Sequence, residues 1–321
     1  MTLPAGTART LLPGKQIAGA LPDNDDHMWP YAGHRRKTVL VTGAAGFVGS
    51  IVALNMTVLG WNVIGVDPCY HGESAMGAPP YQLIRKRIQD IKPNSLDVDY
   101  IMHLGTLDQV SCLNEPEQAK QDVYVSTLAC LDWNVPMTFT SSVSVLTHPR
   151  LTENPYAYYK EKAETACMLK SSDVQVFRLS NVYGPGMKLD SPLCGFPGKV
   201  ARALCTNDLL VVTAPDLPRY YTYIGNVASY IVAQATSADR VGGVSSCLGN
   251  QPPLTPMQVI GKMADIMAVI KPDFRLNVEI GKPRLIDTPR PSVMVKNMMT
   301  SVVFDIGAEA LLRTAKEQYA V

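Results

Sequence analysis

In the run YAYYK, Tyr156 and Lys160 stand four residues apart, so a helix there would carry both side chains on one face. A phenol with an ordinary pKa of about 10 is a poor base at neutral pH. A neighbouring ammonium stabilises the phenolate, which makes the pair a candidate for proton transfer. Such spacing is common on helix surfaces, so other groups have to accompany it. Tyr158 and Tyr159 lack that spacing to Lys160 and read as packing or wall residues. Upstream, the run PMTFTSS ends in hydroxyls, and Ser141, Ser142 and Ser144 compete to bond a substrate hydroxyl and the tyrosine oxygen. Further upstream, TGAAGFVG places Gly43, Gly46 and Gly49 at three-residue intervals. The first glycine permits a tight turn, the second a close approach of backbone to pyrophosphate, and the third close packing of helix on strand. Asp67 follows 18 residues after Gly49. An acid at that distance binds both ribose hydroxyls of NAD and repels the 2′-phosphate of NADP.

These groups need a scaffold, and the chain supplies a strand–helix alternation. TVLVTG is a β-branched run suited to a strand buried on both faces. Phe47, Ile51, Leu54 and Val58 then recur at helical spacing, and Gly60 closes that helix. NVIGVD, DYIMHLG (99–105), PMTFTSS (136–142) and VQVFRLS (174–180) repeat the strand signature, with helical stretches around 117–133 and 156–170. The expected fold is a Rossmann-type doubly wound parallel sheet with a smaller C-terminal α/β substrate domain. The expected organisation is an N-terminal arm over 1–36, a cofactor domain over 37–180 and a substrate domain over 181–321, with an approximate, interleaved boundary. One uncharged stretch, Thr38 to Val66, is long enough to span a membrane, but its five glycines break it into strand, turn, helix and strand.

Composition narrows the partners. A formal charge of +1 offers no footprint for a polyanion, so nucleic acid is not expected as a principal partner. Seven cysteines without a CxxC, and five histidines never three or four residues apart, support neither a zinc site nor a disulfide framework. The N-terminus lacks an uninterrupted apolar h-region. These features point to a cytoplasmic protein with no membrane partner. Charged residues at 18% fall below the usual ~25%, which hints at covered surface and a homodimer.

TGAAGFVG, a strand-end serine cluster, YxxxK and RLSNVYGP (178–185), in this order, resemble the extended short-chain dehydrogenase/reductase family. Within it the chain is most similar to NAD-dependent nucleotide-sugar epimerases and dehydratases, nearest the UDP-sugar 4-epimerases. The resemblance runs from residue 38 to about 316, with echoes in Gln89-Asp90-Ile91, MHLGT, RYYTYIGNVA (219–228) and Arg284 with Asp287. It implies that Gly43, Gly46, Phe47, Val48 and Gly49 line the pyrophosphate, Asp67 the ribose, and Asp90 and Ile91 the adenine, with Leu104 and Gly105 beside the cofactor. It implies Tyr156 as acid/base, Lys160 on the nicotinamide ribose and Ser142 as the catalytic hydroxyl. Asn181 would touch the diphosphate or uracil side of a nucleoside-diphosphate sugar, and Arg219 and Arg284 would grip its phosphates. Val143 and Ser144 stand where the family's dehydratases and decarboxylases carry an acid, which favours an epimerase or a 4-keto reductase. Leu146-Thr147 replaces a usual Tyr-Gly, Asn226 replaces a usual Asp, and only 14 residues separate Ser142 from Tyr156. The reading is an epimerase with transient oxidation at C4. The alternatives are an NAD(P)-dependent reductase or dehydrogenase of a keto-sugar or small alcohol, and a non-catalytic dinucleotide-binding subunit.

Overall fold

A computed structural model describes residues 35–70, 72, 77–147, 151–170, 173–191, 193–247, 252–282 and 304–319. The chain divides into units Met1–Arg35 and Arg36–Val321, and the second holds everything described below. In its first half, β1 (Thr38–Thr42), α1 (Phe47–Val58), β2 (Asn62–Val66), β3 (Gln82–Ile84) and β4 (Tyr100–His103) lead to α2 (Gln109–Asn114) and α3 (Pro116–Ala119). A π-helical turn, Lys120–Val125, joins α3 to α4 (Ser126–Leu131); then come β5 (Met137–Ser142), α5 (Ser144–Thr147), α6 (Pro155–Lys170) and β6 (Val174–Leu179). The second half contains β7 (Asn181–Tyr183), α7 (Phe196–Thr206), β8 (Leu209–Val212), β9 (Tyr221–Tyr223) and α8 (Ile224–Thr236). It continues through β10 (Gly243–Cys247), α9 (Pro256–Ile270), β11 (Asn277–Ile280) and α10 (Phe304–Tyr319).

Seven parallel strands in the order β10-β6-β5-β4-β1-β2-β3 form the main sheet, the doubly wound arrangement expected from the strand–helix alternation. All five residues of β1 are buried, as a central strand covered on both faces requires. The last strand of that sheet comes from the second half: β10 pairs with β6, and α8 packs on α1. The other cores of the second half gather around α7, α9 and α10, with Val200, Leu204, Met263, Met267 and Leu311 fully or almost fully buried.

The α1 helix forms where its periodicity places it, and Gly60 closes it at φ +84° with its N–H on the Thr57 carbonyl. Its buried face differs from the expected one. Gly49, Val52, Ala53 and Met56 face inward, whereas Val58 is 62% exposed. The small residues Gly49 and Ala53 let the helix axis approach the sheet, and that approach rotates the larger Ile51 and Leu54 to half-buried flanks.

Candidate active site

The cradle begins where β1 ends. Gly43 adopts φ +69°, a backbone state that glycine enters without penalty, and donates its N–H to the Val66 carbonyl at 2.9 Å. A Cβ on Gly43 would lie 2.5 Å from Gly105 Cα, so the turns after β1 and β4 meet backbone to backbone. A Cβ on Gly49 would collide with the Gly43 carbonyl oxygen, and one on Gly46 would lie 3.1 Å from that same oxygen. The Asp67 carboxylate at the end of β2 is held by the N–H groups of Ala45 (3.0 Å) and Cys69 (2.7 Å). It keeps lone pairs for hydroxyl donors.

A relay that the sequence reading had not singled out ties this cradle together. Thr42 Oγ1 accepts the N–H groups of Leu104 (3.1 Å) and Gly105 (3.0 Å), so its own proton goes to His103 Nδ1 at 2.7 Å. His103 Nε2–H then faces Thr127 Oγ1 at 3.0 Å, and Thr127 donates to the Val123 carbonyl at 2.7 Å. Complete burial, with the Lys160 charge as a second cause, pulls His103 down to about 3 and keeps the ring neutral.

A cavity of about 520 Å³ runs from the glycine turn past Asp67 to Tyr156. Phe47, Val48, Leu104 and Gly105 line it. Its outer wall is made by Arg87, Ile88, Gln89 and Asp122, and does not include Asp90 or Ile91. Asp90 is instead paired with Arg87 at 2.9 and 3.0 Å on the surface, and Ile91 packs against the core beneath β4 and β5. Asp122 sits in the π-helical turn, accepts from Gln118 at 2.6 Å, and has its pKa raised by burial. The glycine cradle, which no side chain could share, and the acid at the end of β2 fit a dinucleotide.

Tyr156 occupies the first turn of α6, and the side chain of Asn154 secures that turn by accepting from Ala157 N–H at 3.1 Å. The Ser142 hydroxyl accepts from Ser144 N–H at 3.2 Å and from Ser144 Oγ at 2.8 Å, which leaves its own proton to donate, and its influence acts to lower the pKa of the nearby Tyr156 phenol. Ser141 points away, is 3% exposed, and has no hydrogen-bond partner for its hydroxyl among the described residues. The geometry therefore brings Ser142 and Tyr156 together, with Ser144 bracing the serine.

Lys160 lies beneath them, 1% exposed, with Nζ donating to the Thr140 carbonyl at 2.5 Å and set 4.7 Å from the Phe139 ring centre and 5.7 Å from the Tyr156 ring centre. Burial lowers its pKa to about 7. The expected lowering of the Tyr156 pKa by this ammonium is absent. Burial above all, then the neighbouring Cys112 and Asp108, raises the phenol, and only the Ser142 hydrogen bond acts the other way. An ammonium that is itself desolvated and turned to a carbonyl does little for a phenolate.

A second cavity of about 240 Å³ holds Asn181, Lys199 and Arg219. Asn181 is fixed by its Nδ2 donating to the Tyr220 carbonyl at 2.8 Å, and Arg219 by a backbone pair with Leu254 at 2.9 Å. Lys199 had not been singled out. Arg284 and Asp287 lie outside the described residues.

The family model described as "NAD dependent epimerase/dehydratase family" matches residues 39–244. The chain belongs to that family. NAD is the family's cofactor, and the cradle described above is built to receive it. Among curated relatives, UDP-glucuronic acid decarboxylase 4 of Arabidopsis thaliana is 29% identical over 281 residues, covering 77% of this chain and 62% of the plant protein. The chain thus spans about three fifths of the length of the first plant relatives it matches. In fold, it superposes on the UDP-glucose 4-epimerase of Thermotoga maritima with a TM-score of 0.76 at 19% identity, covering 88% of this chain and 99% of the other. The UDP-N-acetylglucosamine 4-epimerase of Methanobrevibacter ruminantium gives 0.75 at 22% identity, covering 89% and 99%. No helix among the described residues is long and apolar enough to cross a membrane.

Proposed function

We propose that this protein is a 4-epimerase of a nucleoside-diphosphate sugar, selective for NAD over NADP through Asp67. The observation that carries the reading is Tyr156 lining a cavity of dinucleotide size, with a second cavity bearing Arg219 and Lys199 next to it. The two cations suit a diphosphate. Tyr156 takes the proton from the sugar 4-hydroxyl and later returns it, while Ser142 holds that hydroxyl and the phenol in one line. Bound NAD supplies an oxidised nicotinamide that takes up and gives back a hydride, with a positive charge that opposes the burial holding Tyr156 protonated. Lys160, buried beneath the tyrosine, orients the nicotinamide ribose.

The positions after the strand-end serine hold Val143 and Ser144, so no acid sits there to drive elimination or decarboxylation. A second reading, decarboxylation of a nucleotide uronate, is favoured by the names of the plant relatives. Incubation with UDP-glucose separates the two. The epimerase reading expects UDP-galactose to appear with no net change in NADH. Carbon dioxide released from UDP-glucuronic acid, with UDP-glucose inert, would replace it with the second reading. Steady accumulation of NADH would instead indicate a dehydrogenase.

A further inference from the structure

The two cavities share four lining residues, Asp108, Leu193, Cys194 and Gly195. Three of these offer apolar surface, a thiol or backbone, and Asp108 is the charged member. A substrate whose reacting hydroxyl meets Tyr156 while its phosphates meet Arg219 has to lay its sugar across this shared wall. Asp108 thus faces the sugar, and it does so from the turn after β4, well away from the strand-end position that the sequence reading inspected for an acid.

The carboxylate is held firmly. Oδ1 accepts from Val110 N–H at 2.9 Å and Ser111 N–H at 3.1 Å, and Oδ2 accepts from the Ser111 hydroxyl at 2.5 Å. Three donors hold it in place, and none of them is a cation, so its charge is not cancelled by an ion pair among the described residues. One lone-pair site on Oδ2 remains for a hydroxyl donor. The charge also reaches the reaction centre, since it contributes to the raised pKa of Tyr156 and of Cys112. A uronate carries its carboxylate on C5, one bond from the C4 presented to Tyr156, and would bring a second negative charge into the same half-buried space.

We propose that Asp108 is a specificity-determining residue that accepts a hydroxyl of an uncharged sugar and excludes a uronate. This rests on the nucleotide-sugar reading above and names the sugar class within it. The test is calorimetry on the NAD-loaded full chain with UDP, UDP-glucose and UDP-glucuronic acid. The wild type is expected to bind UDP-glucose at least tenfold more tightly than UDP-glucuronic acid. Asp108→Asn keeps a good helix cap and the acceptor oxygen but removes the charge. It should narrow that gap about tenfold, mainly by tightening the uronate, and leave UDP affinity unchanged. Asp108→Ser, a second capping residue, should narrow it in the same way if the asparagine variant proves poorly folded. Equal wild-type affinity for the two sugars, or a gap that both variants leave intact, overturns the role of Asp108 while UDP binding keeps the nucleotide-sugar reading. Failure of UDP itself to bind overturns both.

Discussion

The two cavities are built from different materials. The larger one is walled at its centre by backbone: Gly43, Gly46, Gly49 and Gly105 bring main chain against main chain, and a Cβ at Gly43, Gly49 or Gly105 would strike a neighbour's backbone. The smaller one is walled by side chains, Asn181 from β7, Lys199 from α7, and Arg219 from the bridge to Leu254. Its polar groups come from three separated elements and need the whole second half to fold before they meet. A site made of backbone constrains which residue types can stand at fixed spacings. A site made of side chains constrains only which residues point inward.

The largest effect that would test this contrast falls on the backbone-built side. Tyr156→Phe removes one oxygen from a turn already secured by Asn154, so folding and NAD content should hold. Turnover should fall about 10²- to 10⁴-fold, the usual contribution of a positioned acid/base. Turnover within tenfold of wild type would move the acid/base away from α6. Next comes Gly49→Ala, whose new Cβ meets the Gly43 carbonyl, an atom with no freedom to turn aside. It should cost about 1–3 kcal/mol by overpacking and lower NAD occupancy, read by denaturant unfolding and by cofactor released on denaturation.

Legibility in the sequence followed the same divide. Gly43, Gly46, Gly49 and Asp67 could be read because a turn with positive φ and backbone contacts demand particular residues at particular intervals. Five of the seven main-sheet strands were equally plain, since β-branched runs such as TVLVT suit full burial, whereas the short edge strands β3 and β10 carry no such run and were not expected. The inward face of α1 was misread because periodicity weighs large apolar residues, while close packing against the sheet favoured Gly49 and Ala53. His103 gave one available signal, a lone histidine at a strand end close to threonines in space, but Thr42 and Thr127 join it only through tertiary folding. Asp108 caps α2 in the structure and was not among the expected site residues, because its place at the site arises from two cavities meeting beside it. Asp90 and Ile91 lie one and two residues beyond the wall they were expected to form, because the turn Ile88–Asp90 carries Asp90 outward to Arg87. Lys199 had no periodic or motif signal at all.

On the side-chain-built side, Arg219→Ala should leave NAD content and melting temperature close to wild type. A charge-assisted hydrogen bond contributes roughly 1.5–3 kcal/mol, so KM for a UDP-sugar should rise about tenfold or more. Steady-state kinetics with UDP-glucose would show it as a change in KM at nearly constant kcat, the signature of lost uniform binding. A fall in kcat alone would place Arg219 at the reaction centre and collapse the distinction between the cavities.

The smallest expected effect is also the sharpest comparison, because it repeats the Gly49 substitution on the other side. Gly261 lies inside α9, a helix begun by a capping box between Thr255 and Gln258. A Cβ there meets nothing within 4 Å. Nothing in the second half needs that glycine's freedom, so its flexibility is only an entropic burden on folding. Gly261→Ala should therefore stabilise the protein by about 0.4–1 kcal/mol and leave NAD and UDP binding untouched. Paired unfolding curves for Gly49→Ala and Gly261→Ala should shift in opposite directions from wild type. If both shift downward, the helix packing around α9 is tighter than its open flank indicates.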